Sequence, residues 1–143
     1  IMGKKRIVKN AGGSDSAKAG AAKKLPRKKL EKGILYVQST YNNTQVLLTD
    51  AKGNAIISSS SGALGFKGAK KGTPFAAAKV GEVLAEKAEQ LGLKEIDVVV
   101  KGVGSGRESS IRSFIGKGVQ IRSIKDVTPK PFNGPTPRKP RRV

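Results

Sequence analysis

The chain has no cysteine, no histidine and no tryptophan, and ten acidic residues face 29 lysines and arginines. Each shortage closes a class of function. Without cysteine there is no disulfide framework, no thiol nucleophile and no thiolate zinc site. Without histidine the usual general base and the commonest metal ligand are both missing. No apolar run approaches the roughly 18 residues of a membrane-spanning helix. The basic beginning of the chain lacks the apolar stretch of a secretory signal. Neither basic end carries an apolar helical stripe to insert into a bilayer surface, so no membrane partner is expected. The scarce acids are also badly placed for metal-assisted hydrolysis, which needs several carboxylates converging on two ions. The first apolar strand, 34–41, has none, and Asp50, Asp97, Glu108 and Asp126 are scattered over strand ends and a helix start. An enzyme is not expected.

What the chain does have is positive charge, a formal +19, unevenly spread. Residues 1–32 hold eleven Lys/Arg against two acids, residues 33–126 thirteen against eight, and residues 127–143 five against none. A length of 143 residues allows one domain. The distribution divides it into a basic disordered N-terminal arm (1–32), a compact, mildly basic domain (33–126) and an extended basic C-terminal tail (127–143). Tails of this kind repel themselves and bury too little apolar surface to fold alone. They need a dense polyanion, and nucleic acid is the commonest in a cell.

Along the domain, Ile34 to Tyr41 is β-rich and bounded by Asn42-Asn43. Thr44 to Thr49 is a second strand. Asp50 to Asn54 is a tight turn, and Ala55 to Ser59 a third strand. Short connections imply an antiparallel meander. Residues 60–72 read as a loop. Thr73-Pro74 is a helix start, with Thr as N-cap and Pro at the first helical position. The helix runs to about Leu91 and stops at Gly92, with Ala77, Val80, Leu84, Ala88 and Leu91 as its apolar stripe. Lys79, Glu82, Glu86 and Glu89 lie opposite, on a face that should avoid nucleic acid. Lys94 to Lys101 is a strand, Glu108 to Gly116 a second helix with Ile111, Phe114 and Ile115 inward, and Val119 to Lys125 a last strand. The order is βββαβαβ, an α/β fold whose helices cover a mixed sheet.

Four stretches could carry function. Gly65 to Pro74 places Lys67, Lys70 and Lys71 among Gly68 and Gly72 at a helix N-terminus, beside Phe66 and Thr73. Exposed amides, the helix dipole and cations all favour a phosphate there. Gly102-Val103-Gly104-Ser105-Gly106-Arg107 is a second glycine turn before a helix. It fits neither G-x-x-x-x-G-K-[ST] nor G-x-G-x-x-G, so a mononucleotide site is not expected; contact with a polymer phosphate through backbone amides and Arg107 is, with Arg112 one turn further on. Asn42-Asn43-Thr44 reads either as a hairpin tip touching RNA sugars or base edges or as a self-bonded turn. The proline-rich tail holds Lys130, Arg138, Lys139, Arg141 and Arg142 extended along a phosphate backbone. It also carries Asn133-Gly134, where the unshielded glycine amide can attack the Asn carboxamide, making Asn133 a candidate isoaspartate site. In the arm, Lys23, Lys24, Arg27, Lys28 and Lys29 form a further cluster.

These motifs, in this order, resemble the bacterial-type small-subunit ribosomal protein eleven family. The resemblance rests on Tyr41-Asn42-Asn43-Thr44, Gly65-Phe66-Lys67-Gly68 with Gly72 to Ala77, Val100-Lys101-Gly102, Gly104-Ser105-Gly106-Arg107-Glu108, Asp126-Val127-Thr128-Pro129 and Asn133-Gly134, and covers 33–143. Departures stand at Val103 (usually Pro), Ser58 (often Trp), Phe132 (commonly His) and Pro135-Thr136 (usually Cys-Arg). The resemblance implies a ribonuclease-H-like fold and a structural role on the platform of the small ribosomal subunit. There the family bridges helices of the small-subunit ribosomal RNA near the messenger exit and helps form the cleft that holds the Shine–Dalgarno duplex. It implies ribosomal proteins seven, eighteen and, where present, twenty-one as neighbours, in a cytoplasmic or organellar ribosome. No cofactor is implied, magnesium serving only as counterion to the RNA. A histone-like DNA architectural protein is the remaining alternative; no helix-turn-helix and no minor-groove wedge hairpin speaks for it.

Overall fold

The computed structural model describes residues 29–143. Lys23, Lys24, Arg27 and Lys28 therefore lie outside the described residues, and of the arm's basic cluster only Lys29 is placed, exposed at the start of the fold. Five strands and two long helices follow in the expected order: β1 (Lys32–Ser39), β2 (Thr44–Asp50), β3 (Ala55–Ser60), a short 3₁₀ turn (Gly68–Gly72), α1 (Pro74–Gln90), β4 (Glu95–Gly102), α2 (Arg107–Ile115) and β5 (Gln120–Asp126). The strands form one mixed sheet in the order β3-β2-β1-β4-β5. β1 runs antiparallel to β2, and β2 to β3. β4 is parallel to both β1 and β5.

The side-chain period of two decides which face of the sheet is covered. On β1, Leu35 and Val37 are buried while Tyr36 and Gln38 face the other way. On β4, Ile96, Val98 and Val100 are buried, again every second residue. Both helices pack on this inner face, against each other and against one continuous core that takes in Leu35, Leu48, Val80, Leu84, Val98 and Phe114. Among the described residues the outer face carries no helix.

α1 buries the stripe its spacing predicts, with Val80, Leu84 and Ala88 fully inside. Thr73 caps it: its hydroxyl accepts from the Ala76 amide (3.3 Å) and donates to the Lys70 carbonyl (2.8 Å). The helix ends at Leu91, and Gly92 takes φ +78°, the left-handed stop. Glu86 and Glu89 are exposed, and Glu82 pairs with Lys79 at 3.2 Å.

Some boundaries move. β1 ends at Ser39 instead of Tyr41, because Thr40 closes the hairpin on itself: its hydroxyl accepts from the Asn43 amide (3.1 Å) and donates to the Asn43 carbonyl (3.2 Å). The fold also starts before residue 33. Leu30 packs against the core, and the Glu31 carbonyl accepts from the amides of Lys94 (3.0 Å) and Glu95 (3.2 Å). At the other end β5 reaches Asp126, and the Val127 amide still bonds the Val100 carbonyl (2.9 Å). On α2 only Phe114 and Ser110 are fully buried; Ile111 and Ile115, expected inward, are half-buried along its margin.

Candidate nucleic-acid interface

Parallel pairing puts the ends of β1 and β4 side by side, Ser39 against Gly102. Both helices start from this same edge of the sheet, so the positive ends of their dipoles share it. Three loops meet there: the hairpin tip 40–43, the lysine loop 61–73 and the glycine loop 102–106. Their packing is too close for side chains at Gly72, Gly102, Gly104 and Gly106. A methyl group on Gly72 would overlap the Tyr41 carbonyl. One on Gly102, which also takes φ +105°, would overlap the Ser39 carbonyl. The Ser105 hydroxyl ties the second loop to the third by donating to the Gly72 carbonyl (2.8 Å).

The lysine loop lies largely at the surface. Lys67, Gly68 and Lys70 are exposed, and Lys71, Gly72 and Thr73 are half-buried beneath them. No carboxylate sits in the first turn of α1, so nothing neutralises that cluster locally. Phe66 is half-buried and meets the ring of Phe75 edge-on, centroids 6.1 Å apart. Phe75 is 64% exposed, with the Lys79 ammonium 5.6 Å from its centroid. Sequence reasoning missed Phe75 as a surface group. The available signal was its position: residues 75 and 79 fall off the 77-80-84-88-91 stripe.

The glycine loop departs from expectation. Gly104 and Gly106 are buried, packed against Thr40 and against Thr44 and Ala77. The Gly104 amide donates inward to the Ser39 carbonyl (3.0 Å), and the Gly102 amide to the Thr128 hydroxyl (3.2 Å). Arg107, expected to face phosphate, is half-buried and held by the fold: one guanidinium nitrogen donates to the Gly102 carbonyl (2.9 Å), the other to Asp126 (2.5 Å). Asp126 also accepts from the Thr128 hydroxyl (2.6 Å) and amide (2.9 Å). This network latches the first residues of the tail to the glycine loop. No local pattern announced it, since Arg107 and Asp126 are 19 positions apart. Arg112 stays exposed, 3.4 Å from Glu108.

Hydrogen bonds from Thr128, with Arg107 adding to them, hold the Asp126 carboxyl at about 2, below its ordinary 3.8. A depressed carboxyl favours the latched state at every pH above its free value and loses that preference as pH falls through its folded one. The latch should therefore stay closed down to about pH 4 and open toward pH 2. Following the Thr128 amide by NMR against pH checks this, and Asp126→Asn should abolish the acid-dependent step.

At the hairpin tip Asn42 is exposed, but Thr44 is wholly buried, its hydroxyl 3.4 Å from that of Ser39. It belongs to the β1–β2 seam and not to the surface assigned to it from sequence. Asn43 is half-buried, and its Oδ1 has no hydrogen-bond partner among the described residues. The tail beyond Thr128 has no regular secondary structure, and Lys130, Asn133, Gly134, Arg138, Lys139, Arg141 and Arg142 are all exposed along it. Asn133 takes φ +54° at the bend with Gly134. The tail cations form no salt bridge among the described residues.

Asp50 is engaged by Asn54 and its neighbours in the β2–β3 turn, Asp97 by Arg122 and Ser123, and Asp126 by the latch. Among the described residues no three acids converge on a common point, and no helix is long and apolar enough to cross a membrane. A family model described as Ribosomal protein S11 matches residues 33–142, taking in all three loops, both helices and all but the last residue of the tail, and the chain accordingly belongs to the S11 family of small-subunit ribosomal proteins, structural components that bind ribosomal RNA.

Proposed function

We propose that the loop edge and the tail together hold small-subunit ribosomal RNA on the platform, bridging RNA helices beside the messenger exit and helping to form the Shine–Dalgarno cleft. The carrying observation is that three loops, both helix N-termini and the tail's point of departure share one edge of the sheet. Exposed Lys67 and Lys70 with the tail cations supply charge, and the positive end of the α1 dipole adds to it. Such a surface reads RNA by shape, phosphate and ribose instead of by a base-specific helix. The exposed Glu86 and Glu89 put like charge toward any phosphate, so this side of α1 suits a protein neighbour, such as ribosomal proteins seven, eighteen or twenty-one. We assign the fold to the ribonuclease-H-like group on its strand order, three antiparallel strands followed by two parallel ones. No catalysis is assigned, and the working place is the ribosome, cytoplasmic or organellar.

Sedimentation tests the reading. The full chain should travel with small ribosomal subunits through a high-salt gradient. Recovery only among free proteins overturns it.

A further inference from the structure

The outer face of the sheet, free of helices among the described residues, carries a second surface that the loops do not explain. Its centre is a shallow concavity of about 500 Å³ across β1, β2 and β3, lined by Tyr36, Gln38, Gln45, Leu47 and Ser58. Register places Tyr36 beside Leu47, Leu47 beside Ser58, and Gln38 beside Gln45. A smaller hollow of about 190 Å³ adjoins it, shares Gln38 and Gln45, and reaches Thr40 and Asn43 at the hairpin tip. The buried Asn43 Oδ1 without a partner belongs to a residue lining this hollow. Lys101 stands next to Gln38 across the β1–β4 pairing and is exposed.

We propose that this face takes an unstacked nucleotide of the bound RNA. The base would lie on the Tyr36 ring, its edge would meet the amides of Gln38 and Gln45, and its phosphate would meet Lys101. Four features of the surface select this occupant. Tyr36 is 37% exposed on this face, which offers part of its ring for stacking. Paired amides offer donors and acceptors together, which a base edge needs and an apolar peptide does not. No charged residue lines the larger concavity, so no carboxylate there repels phosphate, and Lys101 stands beside Gln38 as a cation for it. The face also runs without a break into the hairpin tip at the loop edge, so a strand leaving that edge has a path onto it. The inference rests on the RNA-binding reading above and adds a base-contacting site to a surface otherwise built for the sugar–phosphate chain.

The test uses the full chain and small-subunit ribosomal RNA. Ultraviolet cross-linking of the reconstituted subunit, followed by mass spectrometry, should yield a nucleotide adduct on Tyr36. Tyr36→Leu should weaken binding about 10-fold with an unchanged dependence on salt, because stacking is lost and no phosphate contact is. Tyr36→Phe should bind within about twofold of the parent. Gln38→Glu lies on an exposed strand position and needs no repacking; it should also cost about 10-fold, by setting a carboxylate against the RNA. Neutral behaviour of Tyr36→Leu and Gln38→Glu in a chain that still binds with its full salt dependence overturns the inference alone. Cross-linking of Tyr36 to a protein overturns it too and makes the face a protein-docking surface. Failure of the parent chain to bind overturns the ribosomal reading with it.

Discussion

Gly102→Ala should lower the thermal midpoint by about 10 °C or more, the largest stability loss expected from any single methyl group in the molecule. Two penalties coincide at this position. Its φ of +105° is one that L side chains rarely adopt, and a Cβ there would overlap the Ser39 carbonyl. The first costs about 1–2 kcal/mol. The second is overpacking against backbone, which cannot rotate away as a side chain can, and costs about 1–3 kcal/mol. A total of about 3 kcal/mol is a large share of the stability of a small domain. The damage should also spread, because the Gly102 carbonyl receives Arg107 and its amide donates to Thr128. Calorimetry measures the shift, and hydrogen exchange should show extra opening at Gly104 and Thr128 before the centre of β1.

The largest effect on binding is expected from replacing Lys67, Lys70 and Lys71 together by alanine. Affinity for the ribosomal RNA should fall about 100-fold at low salt, from charge-assisted contacts worth about 1 kcal/mol or more each. The parent chain, neutralising about eight phosphates, should lose affinity with log salt at a slope of roughly −6 to −7. The triple variant should flatten that slope by about 2 to 3, since each lost phosphate contact removes close to one released counterion. Filter binding or fluorescence titration across a salt series reads both numbers. Stability should hardly change: Lys67 and Lys70 are exposed, and the bond that helps fix the cap, from Thr73 to Lys70, uses the Lys70 backbone. Unaltered affinity and slope would remove the lysine loop from the interface.

Most of the architecture was legible because its signals are local. The Thr73-Pro74 start of α1, the Gly92 stop and the Asp50–Asn54 turn each depend on a few adjacent residues, and each lies where those residues put it. Alternation along β1 and β4 marked the inner face in the same way. What could not be read depends on distant pairs. Arg107 looked like a free cation because its carboxylate partner arrives from the end of β5. The amides of Gly102 and Gly104 looked available because their acceptors, the Thr128 hydroxyl and the Ser39 carbonyl, come from distant parts of the chain. Thr44 looked exposed beside two asparagines, yet it begins a strand whose first side chain points into the β1 seam. The exposure of Lys67 and Lys70 follows from local signals alone, since long side chains at a helix start with no carboxylate nearby remain in solvent.

The Arg107–Asp126–Thr128 latch has a consequence for the order of events on RNA. Because β5 is parallel to β4, the tail leaves the sheet at the edge that bears Gly102, and the latch fixes its first residues there. A leash that begins at the docking site need not search for it. On the proposed reading, once the globular part has landed, the tail would meet its own stretch of RNA as a tethered ligand at an effective concentration of order millimolar. Contacts too feeble to survive alone then add to residence time, and cutting the tail free would change how long the protein stays far more than how fast it arrives.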